Sequence, residues 1–193
     1  MQNIVNIRNG RLLEPFFQEY CKNKFNITTF ASAEEIEVKI KSYKEEWSKY
    51  ESLFFDTLER IMGLKLKRNI LDCYIVSATN RDMSAPLVIR SRYTPDEFVD
   101  ILIHELLHVI FVENNCMHKN VTDNTTTNNH ISLFGFLSFF FTEIIKDKDR
   151  LERMKQLKSN EINNAYIKAW EIVDHVGYVE AMSYLKKQKL CEN

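Results

Sequence analysis

One stretch constrains this chain more than any other. Residues 101–114 read ILIHELLHVIFVEN, nearly continuous hydrocarbon with His104, Glu105 and His108 set into it. Thr94, Pro95 and Glu97 precede it as a complete helix start: a capping hydroxyl, a proline suited to the first turn, and the glutamate of a capping box. The spacing predicts a helix over about 95–112. At 100° per residue, His104 and His108 fall about 40° apart and one turn, roughly 6 Å, along the axis. Glu97, Asp100 and Asn115 share their sector, and apolar side chains cover the rest. Imidazoles and carboxylates are costly in an apolar interior unless something pairs with them. Two imidazoles from successive turns aimed at one point are what a tetrahedral zinc requires.

Around this helix the sequence predicts an α+β, helix-rich single domain over 1–193 with a short β-sheet. Four glycines and three prolines favour long regular elements. Ser32 and Glu35 form a capping box, and Ile36, Ile40, Tyr43, Trp47, Tyr50, Phe54 and Ile61 recur at three- and four-residue steps, with Thr57 the polar gap. One long helix over 32–63, stopped at Gly63, is expected. Residues 70–77 (ILDCYIVS) and 86–92 (PLVIRSR) read as strands, joined by ATNRDMSA as a loose hairpin or short crossover. They open a core over 70–145. A polar loop, 113–129, leads to an apolar helix over about 131–145, and the charge cluster KDKDRLER follows. Residues 161–187 read as one helix broken near Gly177, or two. The first thirty residues give no clear pattern.

Composition excludes several classes. Hydrophobic residues make up 45% and charged residues 27%, which is globular rather than disordered. With 26 basic and 27 acidic side chains, there is no electrostatic case for nucleic acid or an anionic membrane. The longest uncharged apolar run, 131–141, is short of the roughly 20 residues that span a bilayer. Cys21, Cys73, Cys116 and Cys191 lack CxxC spacing, so neither a zinc ribbon nor a disulfide framework is expected. Asn26, Asn120 and Asn124 open N-x-T triplets, without a secretion signal at the start of the chain. A cytoplasmic protein with reduced thiols is the expectation.

The pattern His104-Glu105-x-x-His108 resembles the HExxH motif of the zincin superfamily of metallopeptidases. The resemblance covers five residues and the order strand, capped helix, downstream ligand. It implies that His104 and His108 bind zinc and that Glu105 is the general base for a water attacking a peptide bond. The strand at 86–92 lies where zincins keep a sheet edge, on which a peptide or protein substrate can add as an extended strand. The known branches diverge at the third ligand. The metzincin extension needs Gly and His where the chain has Phe111 and Asn114. The glutamate of the thermolysin-like branch has no counterpart about twenty residues past His108. His130, 22 residues beyond His108 at the expected start of the next helix, is the first choice, and a helix N-terminus would keep it neutral. Small SprT-like zincins with a downstream histidine agree, although their zinc ribbon is missing. Glu143 is the second choice and His118 the third.

Asp100 is a candidate to orient His104, or else an exposed first-turn carboxylate. Tyr166, His175 and Tyr178 are candidate donors to an oxyanion. Trp47, Trp170 and the phenylalanines of 134–141 read as core. Two other functions stay open: hydrolysis of a small amide or acyl substrate, and a non-catalytic domain that zinc stabilises. Substrate preference and oligomeric state are not legible.

Overall fold

The computed structural model describes residues 4–159 and 164–187. The fold is mixed α and β. By contact, the chain divides into two compact units, Met1–Asp56 with Leu66–Val109, and Thr57–Lys65 with Ile110–Asn193.

The first unit is built on a four-stranded sheet. Strand β1 (Val5–Asn9) buries Val5 and Ile7 and turns Asn6 and Arg8 outward, the period-two alternation of a half-covered strand. Helix α1 (Glu14–Phe25) follows, with Pro15 in its first turn. Neither was legible in the sequence. Helix α2 (Ala33–Trp47) starts at the predicted capping box, with the Ser32 hydroxyl accepting from the Glu35 amide and the Glu35 carboxylate accepting from that of Ser32.

The expected single helix over 32–63 is two. Helix α2 ends at Trp47, and α3 runs Glu51–Met62. Between them the amides of Lys49 and Tyr50 reach back only three residues, to Glu46 and Trp47. The buried Glu51 carboxylate accepts the amide of Val5 at 2.8 Å and so ties the start of α3 to β1. Trp47 packs against Phe54 and Phe55 across the turn, which is why the apolar stripe continues through it.

Strands β2 (Leu71–Val76), β3 (Met83–Ser84) and β4 (Leu87–Arg90) complete the sheet in the order β1-β2-β4-β3. Strands β1, β2 and β4 are parallel; β3 is antiparallel to β4. After β2 the chain therefore passes beyond β4, turns down as β3 and returns between them. This corrects the expectation of an open edge at 86–92. Strand β4 is internal and wholly buried, and the Arg90 amide beyond β3 is taken by the Asp82 carboxylate at 2.9 Å. Helix α4 (Pro95–Glu113) then follows, capped by Thr94 and Glu97 as predicted. The stack of Tyr43 on Phe98, 4.1 Å between centroids, packs it against α2.

In the second unit, β5 (Cys116–His118) pairs antiparallel with the last strand, β6 (Leu185–Lys187). Helix α5 (Thr125–Phe139) runs on as a π-helical segment, Phe140–Ile145. Helices α6 (Lys148–Ser159), α7 (Asn164–Val176) and α8 (Tyr178–Ser183) follow. Helix α6 occupies the charge cluster that had been expected to end the preceding helix. The break at Gly177 is real, with φ at +82°, and the expected start of the last helical part at Glu161 lies outside the described residues. Helix α5 is the centre of this unit and is buried from Ile131 to Ser138. It packs on α7 through Phe134, stacked on Trp170 at 4.0 Å, and on α8 at Gly135, where a Cβ would stand 2.9 Å from that of Ala181.

Candidate metal centre

Helix α4 is buried from Phe98 to Phe111 except at the half-buried His108. His104 is 2% exposed and Glu105 6%. The imidazole rings of His104 and His108 lie 5.0 Å apart between centroids, tilted by 72°, so successive turns present them to a common region. A Glu105 carboxylate oxygen is 3.9 Å from Nε2 of His104. Asp100, one turn earlier, is buried rather than an exposed first-turn carboxylate.

His130 stands in the second turn of α5. The helix begins at Thr125 rather than near Ile131 because Asn124 caps it, its side chain accepting the Thr127 amide at 2.9 Å. The helix-terminus argument for a neutral ring therefore does not apply, since that effect fades within the first turn. A different contact sets the ring. His130 Nδ1 is 2.7 Å from the Thr126 carbonyl oxygen. A carbonyl only accepts, so Nδ1 carries the proton and the lone pair is on Nε2, the arrangement found in metal-ligating histidines. Tyr166 and Phe134 lie beside this ring, at 4.3 and 5.3 Å between centroids.

His104, His108 and His130 each offer a ring nitrogen, and the three atoms lie within 4.8 Å of one another. Among the described residues, this is the one group of three or more His, Cys, Asp or Glu side chains with the spacing of a metal site. Nitrogen ligands 2.0–2.1 Å from a tetrahedral zinc are about 3.3 Å apart.

The other candidates are elsewhere. Glu143 is exposed on the π-helical segment, accepts a hydrogen bond from the Tyr178 hydroxyl at 2.9 Å, and does not join the group. Thirteen residues of helix separate it from His130, about 20 Å of axis. His118 is half-buried on β5 beside Phe111, where burial lowers its pKa, and is also outside the group. His175 is exposed near the end of α7. Of the three proposed oxyanion donors, Tyr166 is thus the one beside a histidine of the group.

Sequence reasoning missed two features. The Thr126 carbonyl that orients His130 becomes visible only when α5 is started at Asn124, which makes it the i−4 partner. The second is a buried cluster where the end of β4 meets the residue before β3. Arg90 donates to both oxygens of Asp82, as close as 2.6 Å, and the Tyr93 hydroxyl donates to Asp82 at 2.6 Å. Cys73 is a thiol rather than a thiolate, because burial first, and then the carboxylates of Asp82, Glu105 and Asp72, push its pKa well up.

No family model, curated protein or solved structure matches the chain. Among the described residues, no helix is long and apolar enough to cross a membrane.

Proposed function

We propose that this chain is a zinc-dependent hydrolase of peptide bonds, with zinc on His104, His108 and His130 and Glu105 as general base. The reading is carried by the convergence of three imidazole nitrogens within 4.8 Å, next to a carboxylate on the same helix. Three neutral nitrogen donors suit zinc and leave a fourth position for chemistry. When bound, zinc lowers the pKa of a coordinated water towards 7 and polarises the carbonyl under attack.

The chain's own groups then have distinct tasks. Glu105 accepts the proton of the attacking water and passes it to the leaving amine. The Thr126 carbonyl holds the His130 ring in the tautomer whose lone pair is on Nε2. His108, half-buried where its partners are buried, marks the side from which solvent and substrate approach.

Burial favours a second reading beside the first. With His104, Glu105 and His130 between 2% and 6% exposed, a small amide or acyl substrate reaches the group more readily than a folded polypeptide does. A peptide substrate must enter as an extended or unfolded segment, and β4 is not open to strand addition. A zinc ion that only stabilises the fold is separated from both by activity.

The test is Glu105→Gln, assayed for bound zinc and for turnover of casein, a peptide library and small acyl amides. Zinc retained with turnover abolished supports catalysis through Glu105, and the substrates then divide the two hydrolase readings. Unchanged turnover removes Glu105 from the mechanism. No turnover in wild-type protein of full zinc content leaves the structural role.

A further inference from the structure

We propose that the strand pair β5–β6 is a clasp released by acid, with His118 as the group whose protonation opens it. The pair is short. Three residues on each side oppose one another in antiparallel register, Cys116 with Lys187, Met117 with Lys186 and His118 with Leu185. The Lys119 amide extends it by donating to the Tyr184 carbonyl at 2.9 Å, and the Lys119 ammonium lies 4.3 Å from the centre of the Tyr184 ring. A two-stranded ribbon is marginal by itself, so the state of one side chain can decide whether it holds. Release frees Leu185–Lys187 from the stretch that joins α4 to α5 and wets the side of the buried Phe111 ring that His118 covers.

His118 is placed to make that decision. Its Nδ1 is buried, and among the described residues no group is within hydrogen-bond reach of it. The Phe111 ring lies 5.7 Å away between centroids, tilted by 59°. A neutral imidazole meets this setting by keeping its proton on Nε2 and leaving Nδ1 as a lone pair. Protonation puts an N–H and a charge there instead, with no acceptor to receive them. No carboxylate offsets this. Glu113 falls about 200° round α4 from Phe111. Helix α5 carries His130 as its one ionisable side chain, and that ring lies against Tyr166 and Phe134. The charged side chains described at the pair are Lys119 and Lys186, both cations. Burial accordingly holds the His118 pKa below its ordinary value while the pair is closed. In an opened pair the ring titrates near the ordinary 6.5 or so. The clasp is therefore at full strength above about pH 6.5 and weakens as pH falls from there to the lower value of the closed state. Thiols, phenols and ammonium groups titrate above about pH 8, which leaves His118 as the described group at the pair that switches near neutrality.

The test is amide hydrogen exchange followed by NMR from about pH 7.5 to about 5, each rate divided by its unstructured-chain value at the same pH. Protection of the Lys119 amide should fall by up to about tenfold per pH unit below about 6.5. The Gly10 amide, bonded to the Ile75 carbonyl at 2.9 Å in the first unit, should keep its protection. His118→Phe, which fills the same apolar place and takes no proton, should give constant protection at Lys119 over the range. That variant keeps His104, His108 and His130, so a loss of protection caused by acid at the histidine group would persist in it and overturn the proposal. Flat protection at Lys119 in wild-type protein would overturn it too. A third measurement needs no substitution: the His118 ring, followed by its own NMR titration, should take its proton below the ordinary value, and uptake at or above about 6.5 refutes the clasp. Each readout is independent of hydrolysis.

Discussion

Removing the His130 ring is the sharpest perturbation of the proposed centre. Zinc held at full coordination by a folded small domain binds with about 10–16 kcal/mol. Shared over four ligands, each contributes on the order of 3 kcal/mol, or between 10²- and 10³-fold in affinity. His130→Ala should therefore weaken zinc binding by about that factor. The ring is 5% exposed and lies against Phe134 and Tyr166, so the variant also leaves a cavity. Circular dichroism must first show that it is folded at the assay temperature. Affinity is read by competition with a chromogenic zinc chelator near neutral pH, with Glu143→Gln and His118→Ala as controls. Both side chains lie outside the histidine group and should stay within about threefold of wild type. Wild-type affinity in His130→Ala would refute the argument, as would an equal loss in either control.

Four further outcomes are expected. Glu105→Gln should leave the zinc-dependent rise in Tm as in wild type, since about 2.7 kcal/mol of stabilisation at a hundredfold excess over Kd needs only the ligands; scanning calorimetry with and without a chelator checks it. Burial alone would raise the Asp82 carboxyl, but the hydrogen bonds and charge of Arg90 outweigh it and hold the pKa below the usual range. Its contribution to stability is thus complete above the unfolded value of about 4 and is lost as pH falls through the lower folded value. Asp82→Asn should remove that part of the acid dependence and cost about 3–5 kcal/mol at neutral pH by stranding Arg90, as read from urea unfolding across pH. Gly135→Ala should cost about 1–3 kcal/mol by overpacking, since its Cβ would also stand 3.1 Å from the Met182 nitrogen and the Tyr178 oxygen; urea midpoints measure it. Asn128→Ala should speed amide exchange at Val121 and Thr122, whose amides the Asn128 side chain accepts at 3.1 and 2.9 Å.

What could be read in advance follows from how local each signal is. The capping boxes at Ser32 and Thr94 lie within four residues of sequence and appear as expected. The turn between α2 and α3 depends instead on Glu51 meeting Val5, 46 residues away, which no periodicity records. Strand β1 was hidden for a related reason: its five residues gain meaning only from parallel pairing with β2, far along the chain. At the centre, one helix period sufficed to put His104 and His108 together. Choosing His130 from sequence was guided by chain length and by a helix start placed six residues too late. The TTTNN run reads as loop by composition, yet the Asn124 cap makes it the first turn of α5. The internal position of β4 was not legible either, because β3 is only two residues long.

The bond from His130 to the Thr126 carbonyl ties ligand orientation to the beginning of a helix, where backbone order is weakest. Thr126 is only the second residue of α5, and the Asn124 side chain just ahead of it holds that turn closed. Anything that unwinds those few residues, whether a bulky group attached to Asn124 or a cut in the preceding loop, would take away the acceptor that fixes the tautomer of the imidazole while leaving all three histidines in place. Sensitivity to changes in a surface asparagine would then report on the mooring of the ring rather than on its presence.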